Sequence, residues 1–288
     1  MLVNNFNNDV YEPLVKEILN DAFYNNEISR RVKISILRQY TEIVVKKILD
    51  FPKDKYFTLG GKSTVAKIKA KNDARLETSI DTINKYGSNN THTECLDLPT
   101  DADVDVVVDS LFYLYSYLLI DFFERYEFGL NKSILYSFSL LPPIIRYTTL
   151  KSLYDKYPDN IVIIDKLSLA ILKAFDTKEA LDWIEERKEC LINLPSVTEE
   201  AALNAIKKCG EALVHEIIQN SPNMYELCID KINIVGNSIE QNGKMYLTFE
   251  AAIDYYNTNG AIKGTSSEEK EFNSIMQFLY LGRKSNNA

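Results

Sequence analysis

The 288-residue chain holds two histidines. One of them, His92, closes the run Ile83-Asn84-Lys85-Tyr86-Gly87-Ser88-Asn89-Asn90-Thr91-His92. An imidazole changes charge near neutral pH and can take or give a proton. Lys85 brings a cation into the same run, and Asn84 and Asn89 bring amides that can orient a polar ligand. Glycine and paired asparagines tolerate left-handed backbone, so the run reads as a break between two long helices. A purely structural role fits the same histidine, with its ring bracing the loop through a backbone carbonyl or Glu94. Asn89-Asn90-Thr91 spells a glycosylation sequon, but nothing else in the chain points to secretion.

The flanking elements must hold this run in place. From about Glu27 to Leu49, the residues Ile28, Val32, Ile36, Tyr40, Ile43, Val44 and Ile48 recur at three- and four-residue spacing, which predicts an amphipathic helix. From about Asp103 to Arg125, Val106, Val107, Leu111, Leu114, Leu118, Ile120 and Phe123 make a helix apolar nearly all round, as expected at the centre of a bundle. Shorter helices at about 62–68 and 74–85 complete an antiparallel four-helix unit. A further amphipathic helix over 9–24 packs outside it.

Residues 27 to about 129 resemble the HEPN superfamily of helical bundles, in its domain-of-unknown-function branch found beside restriction and phage-defence genes. That branch carries a pattern like I-R-x-x-G-N-x-x-x-H before a loop and a long helix. Ile83, Gly87 and His92 match in place, whereas Asn84 stands at the arginine and Ser88 at the asparagine. The resemblance implies two functional readings. Ribonuclease members cleave without metal across a dimer interface. On that reading His92 is the general base or acid, Lys85 clamps phosphate in place of a guanidinium, and Asn84 or Asn89 orients the substrate. Because both departures fall on polar motif residues, the leading expectation is a non-catalytic or weakly catalytic interaction and oligomerisation module in a phage-defence or counter-defence system. Its expected partners are a second copy or higher homo-oligomer and another protein of such a system, with RNA as a further ligand.

Composition narrows the remaining classes. A formal charge of −8 argues against coating nucleic acid with the whole surface. Between Pro52 and Leu76, however, seven cations face two anions. Lys62, Lys67, Lys69, Lys71 and Arg75 are therefore candidate phosphate contacts for an RNA- or nucleotide-binding module, against the alternative of a solvated helix face. Leu59-Gly60-Gly61-Lys62-Ser63-Thr64 lacks the earlier glycine of a phosphate-binding loop, with Tyr56 in that place, and reads as a turn into the next helix. Four scattered cysteines without a C-x-x-C pair give no disulfide framework or structural zinc site, and no metal or other cofactor is expected. The start lacks a secretory pattern, and Asp109 and Asp121 interrupt the apolar run 106–123, so a cytoplasmic protein with no membrane span is expected.

The expected fold class is mainly α: a HEPN-like bundle over 1–130, then an α-helical interaction domain over 131–288. In the second segment, 163–175 and 178–190 read as a helical hairpin reminiscent of a tetratricopeptide unit. Ser196 to Glu199 reads as a capping box for a helix reaching Gln219 that contains His215. Asn242-Gly243 signals a small β-hairpin over 232–247. Two helices, 249–257 and 268–281, close the chain, the latter begun by a Ser266 cap, and their aromatic residues either finish a core or form a partner surface.

Overall fold

The computed structural model describes residues 5–91, 96–197, 199–244 and 246–286. Among them the protein is mainly helical and contains no strand. In chain order the helices are α1 (Asn8–Leu19), α2 (Arg30–Ile48), α3 (Lys62–Lys69), α4 (Ala74–Thr91), α5 (Asp101–Arg125), α6 (Lys132–Ser139), α7 (Pro143–Lys156) and α8 (Ile161–Ala174). They continue as α9 (Thr177–Glu185), α10 (Lys188–Ile192), α11 (Glu199–Cys209), α12 (Glu211–Gln219), α13 (Met224–Asn242), α14 (Phe249–Tyr255) and α15 (Ser267–Tyr280). Single π-helical turns, Asn20–Tyr24 and Tyr256–Gly260, extend α1 and α14.

Two compact units form. One runs to Tyr126 and resumes at Ile253, and the other is Glu127–Ala252. Sequence patterning pointed instead to two consecutive segments meeting at 130/131. The last helix belongs with the first unit because its apolar face completes that core: Phe272, Phe278, Leu279 and Tyr280 are buried there.

The first unit is a helical bundle around α5. Thr100 caps α5 and exchanges hydrogen bonds with Asp103, satisfying backbone N–H groups that the first turn leaves without partners. Thirteen of its residues are buried, among them Leu111, Leu114, Tyr115, Leu119, Phe122 and Phe123. Each large apolar side chain moved out of water contributes about 1.5–3 kcal/mol, so a helix apolar on every side is stable only when enclosed. Among the described residues α5 alone is long and apolar enough to cross a membrane, and 67% of its most apolar window is buried inside the protein. One wall comes from α2 through Ile34, Leu37, Tyr40, Thr41, Val44 and Ile48. Another comes from α15, where Phe272 sits 5.2 Å from Phe122, ring centre to ring centre, and Glu271 pairs with Arg125 at 2.6 Å. Lys47 ties α1 to α15 by donating to Asn8 Oδ1 at 3.2 Å and Ser274 Oγ at 2.8 Å.

Three local expectations are corrected. The Gly/Asn run is no break, because α4 continues through Gly87, Ser88, Asn89 and Asn90 to Thr91. Tertiary packing overrides turn propensity there: a Cβ on Gly87 would lie 2.2 Å from Arg38 Cδ and 2.6 Å from Arg38 Cβ, so glycine is what lets α2 approach α4. The β-hairpin over 232–247 is absent among the described residues. Most of that range is the end of α13, whose apolar positions follow helical spacing, and Gly243 at φ 75° terminates the helix instead of turning a hairpin. Finally, the helix expected to reach Gln219 is two, α11 and α12, separated by Gly210 at φ 86°. Thr198, within the expected cap, lies outside the described residues. The Ser266 cap of α15 is present, with Glu269 closing the capping box. Phe278, Tyr280 and Tyr256 are buried, whereas Tyr255 stays exposed.

In the second unit α7, α8, α9 and α13 pack successively. Ala170 of α8 and Ala180 of α9 are buried, and Gly236 of α13 approaches Thr177 so closely that a Cβ would sit 3.0 Å from its hydroxyl. Asp165 on α8 accepts from Lys231 of α13 at 2.6 Å.

Two outcomes follow from this packing. Gly87→Ala should destabilise the protein by about 1–3 kcal/mol through overpacking, read as a lower urea midpoint. An exposed helical glycine would instead gain about 1 kcal/mol from the same change. Burial lowers the Lys47 ammonium to about 8, against the pull of Asp50 and Glu271. Between about pH 8 and pH 10 the unfolded chain keeps a proton that folded Lys47 has released, so stability should rise with pH across that window. Above it, the buried phenols of Tyr40 and Tyr117, held protonated by burial, act in the opposite sense. Urea midpoints in steps between about pH 8 and pH 10 should climb, and less steeply in Lys47→Gln.

Candidate functional site

The polar motif lies on the second half of α4, against α2. His92 itself lies outside the described residues. Lys85 and Asn89 are exposed and one turn apart, on one face of α4. Asn84 precedes Lys85 by one residue, so it points about 100° away around the helix. Its Oδ1 accepts a hydrogen bond from Arg38 Nε at 3.3 Å. Gly60 closes over the same amide, since a Cβ there would meet Asn84 Nδ2 at 3.2 Å. The three described residues expected to act together are thus not gathered: Asn84 braces α2 and the 58–61 turn, while Lys85 and Asn89 face solvent.

Two arginines of α2 stand where the sequence placed no cation. Arg38 reaches Asn84, and its Nη1 lies 3.6 Å from Glu42 Oε1. Burial pushes the Glu42 carboxyl above its usual range, with Arg38 and Lys46 pulling it back down. Two turns earlier, Arg31 Nε donates to the Asn90 carbonyl at 2.8 Å. Ser35 Oγ lies 3.4 Å from Thr91 Oγ1 beside it. The spacing Arg31, Ser35, Arg38, Glu42 is a single helical stripe, so a polar face on α2 was readable in the sequence. What it would face was not. Chemically, the Arg38 guanidinium is engaged by an amide and a carboxylate and acts as a brace, and Arg31 ties down a carbonyl near the end of α4.

The basic segment is interleaved with partners. Gly61 caps α3, with its N–H bonded to the Thr58 carbonyl at 3.1 Å, so Gly60-Gly61 is the expected turn into a helix. Lys71 pairs with Asp121 at 2.9 Å, Arg75 lies over the Tyr113 ring at 4.5 Å, and Lys67 over Phe51 at 5.6 Å. Lys62, Lys67, Lys69 and Arg75 are exposed, and Lys71 is half-buried. Of the five candidate phosphate contacts, Lys71 is therefore tied to α5, and Lys67 and Arg75 rest on aromatic rings while staying exposed. No group of three or more metal-ligating side chains occurs among the described residues. Neither Cys228, which is buried, nor Cys190 joins the α2/α4 stripe.

No protein-family model, curated protein or solved structure matches the chain.

If Asn84 is a brace, restoring the arginine of the motif pattern is harmful. Asn84→Arg would set two guanidinium groups together and force the larger side chain against the Gly60 turn. It should cost about 1–3 kcal/mol in chemical denaturation and confer no RNA cleavage.

Proposed function

We propose that the first unit is a HEPN-like bundle that works by binding protein, a second copy of itself first of all, within a phage-defence or counter-defence setting. The observation that carries this is the commitment of Asn84. The residue at the family's arginine position is held by Arg38 and covered by Gly60, turned away from Lys85 and Asn89. A phosphate clamp built on that position has no cation to offer. The binding half of the reading is supported by Leu96 and Leu98, 85% and 80% exposed immediately before α5. They stand at the bundle end where Asp101 holds Arg30, and two large apolar side chains in water there suit the centre of an interface. Sedimentation velocity should find the wild type dimeric or larger and Leu96→Ser/Leu98→Ser monomeric. A monomeric wild type at ~50 µM would remove the self-association reading.

A metal-independent ribonuclease is the second reading, favoured by Arg31. Its bond to Asn90 brings a planar guanidinium to a residue only two positions before His92 in the chain, where Lys85 alone was expected to supply the cation. Wild type and His92→Ala incubated with total RNA and EDTA decide between the two. Intact RNA in both is the expected result. Fragments with 2′,3′-cyclic phosphate ends from the wild type alone would put the ribonuclease in its place.

A further inference from the structure

The second unit contains a cavity of about 360 Å³ where one face of each of α6, α7 and α8 converges. Its polar lining is cationic. Lys132 comes from α6, Arg146 from α7, and Lys166 and Lys173 from α8, with no carboxylate among the lining residues. Lys166 and Lys173 lie seven residues apart and so share one helix face. Arg146 is buried, and its Nε donates to the Leu141 carbonyl at 2.8 Å, which fixes the guanidinium in the wall. Asp165, which is not among the lining residues, pairs with Lys166 at 2.9 Å and with Lys231 at 2.6 Å.

Such an arrangement is costly without an anion. Burial, together with the charges of Arg146 and Lys166, lowers the Lys173 ammonium to about 8. Like charges gathered at a partly dry wall repel one another, and a bound anion would reverse that interaction. Apart from Ser139, the rest of the lining is apolar or aromatic, with Leu150 and Leu169 in the wall and Tyr136 half in solvent at the rim. The volume falls in the range of small-molecule sites, roughly 300–1,000 Å³.

We propose that this cavity binds a small organic phosphate, of the nucleoside phosphate class. Its phosphate would lie among Arg146, Lys166 and Lys173, and its planar ring would lie against Tyr136 and the leucine wall. A guanidinium beside two ammonium groups matches a doubly charged phosphate monoester better than a single carboxylate, because several cationic donors can each take an oxygen. The convergence of three helices around one open cavity favours a small molecule over a polymer, whose backbone would need a continuous row of cations. The site is separate from the α2/α4 stripe and does not depend on the reading proposed for it.

Isothermal titration calorimetry of the full chain tests this, with AMP, ATP, adenosine and inorganic phosphate as probes. AMP and ATP should bind, inorganic phosphate more weakly, and adenosine weakest. Lys173→Gln should weaken AMP by about tenfold or more, the loss of one charge-assisted hydrogen bond. Should that variant not fold, Lys166→Gln, which is more exposed, serves in its place. Tyr136→Ala at the rim should weaken AMP while leaving inorganic phosphate unchanged. The proposal is overturned by any of three results: no heat from either nucleotide up to ~1 mM, adenosine binding as tightly as AMP, or AMP affinity unaffected by loss of the lysine charge.

Discussion

Helix α5 cannot stand in water, and the first unit is arranged around that constraint. Its thirteen buried residues occupy every side of the helix, so one partner helix cannot cover it. Cover comes from α2 and α4 on one side and from α15, more than 140 residues later in the chain, on another. The ties on its rim are polar and local to the helix ends: the Thr100 capping box at one end, and Arg125 with Glu271 at the other. Surface ion pairs of this kind contribute little on their own, about 0–1 kcal/mol, so they set register more than stability.

Close packing on α5 also decides the fate of the polar motif. For α2 and α4 both to reach α5 they must approach each other, and Gly87 is where the approach is tightest. The Arg38 stem passes over the missing side chain, and its head group meets Asn84 one turn back along α4. A glycine that reads as flexible in the sequence thus serves a rigid contact, and the amide beside it becomes part of the same brace. Lys85 and Asn89, which packing does not require, are left in solvent.

The second unit resolves its charge differently. Asp165 gathers Lys166 and Lys231, while Lys166 and Lys173, on one face of α8, line a cavity with Arg146 of α7. Four cations converge there in a chain whose overall charge is −8, so the local field is set by which helix faces meet and not by composition.

The sequence by itself determined the helices. Periodic apolar residues marked α2 and α5 to within a few residues, Ser266 with Glu269 marked the start of α15, and Gly60-Gly61 marked the turn into α3. These are local matters of periodicity and capping, which a chain carries wherever it lies. It also misled in places where a local signal was strong but packing was stronger. Asn242-Gly243 resembles a hairpin turn, yet it ends a helix, and Gly87-Ser88-Asn89-Asn90 resembles a loop, yet it lies within one. Only the tertiary structure decided that Asn84 faces Arg38, that Lys71 and Arg75 belong to Asp121 and Tyr113, that the last helix returns to the first unit, and that the cations of three helices share a cavity. Each of these depends on side chains far apart in sequence meeting across helix faces, and helical periodicity says which face a residue is on but not what that face will meet.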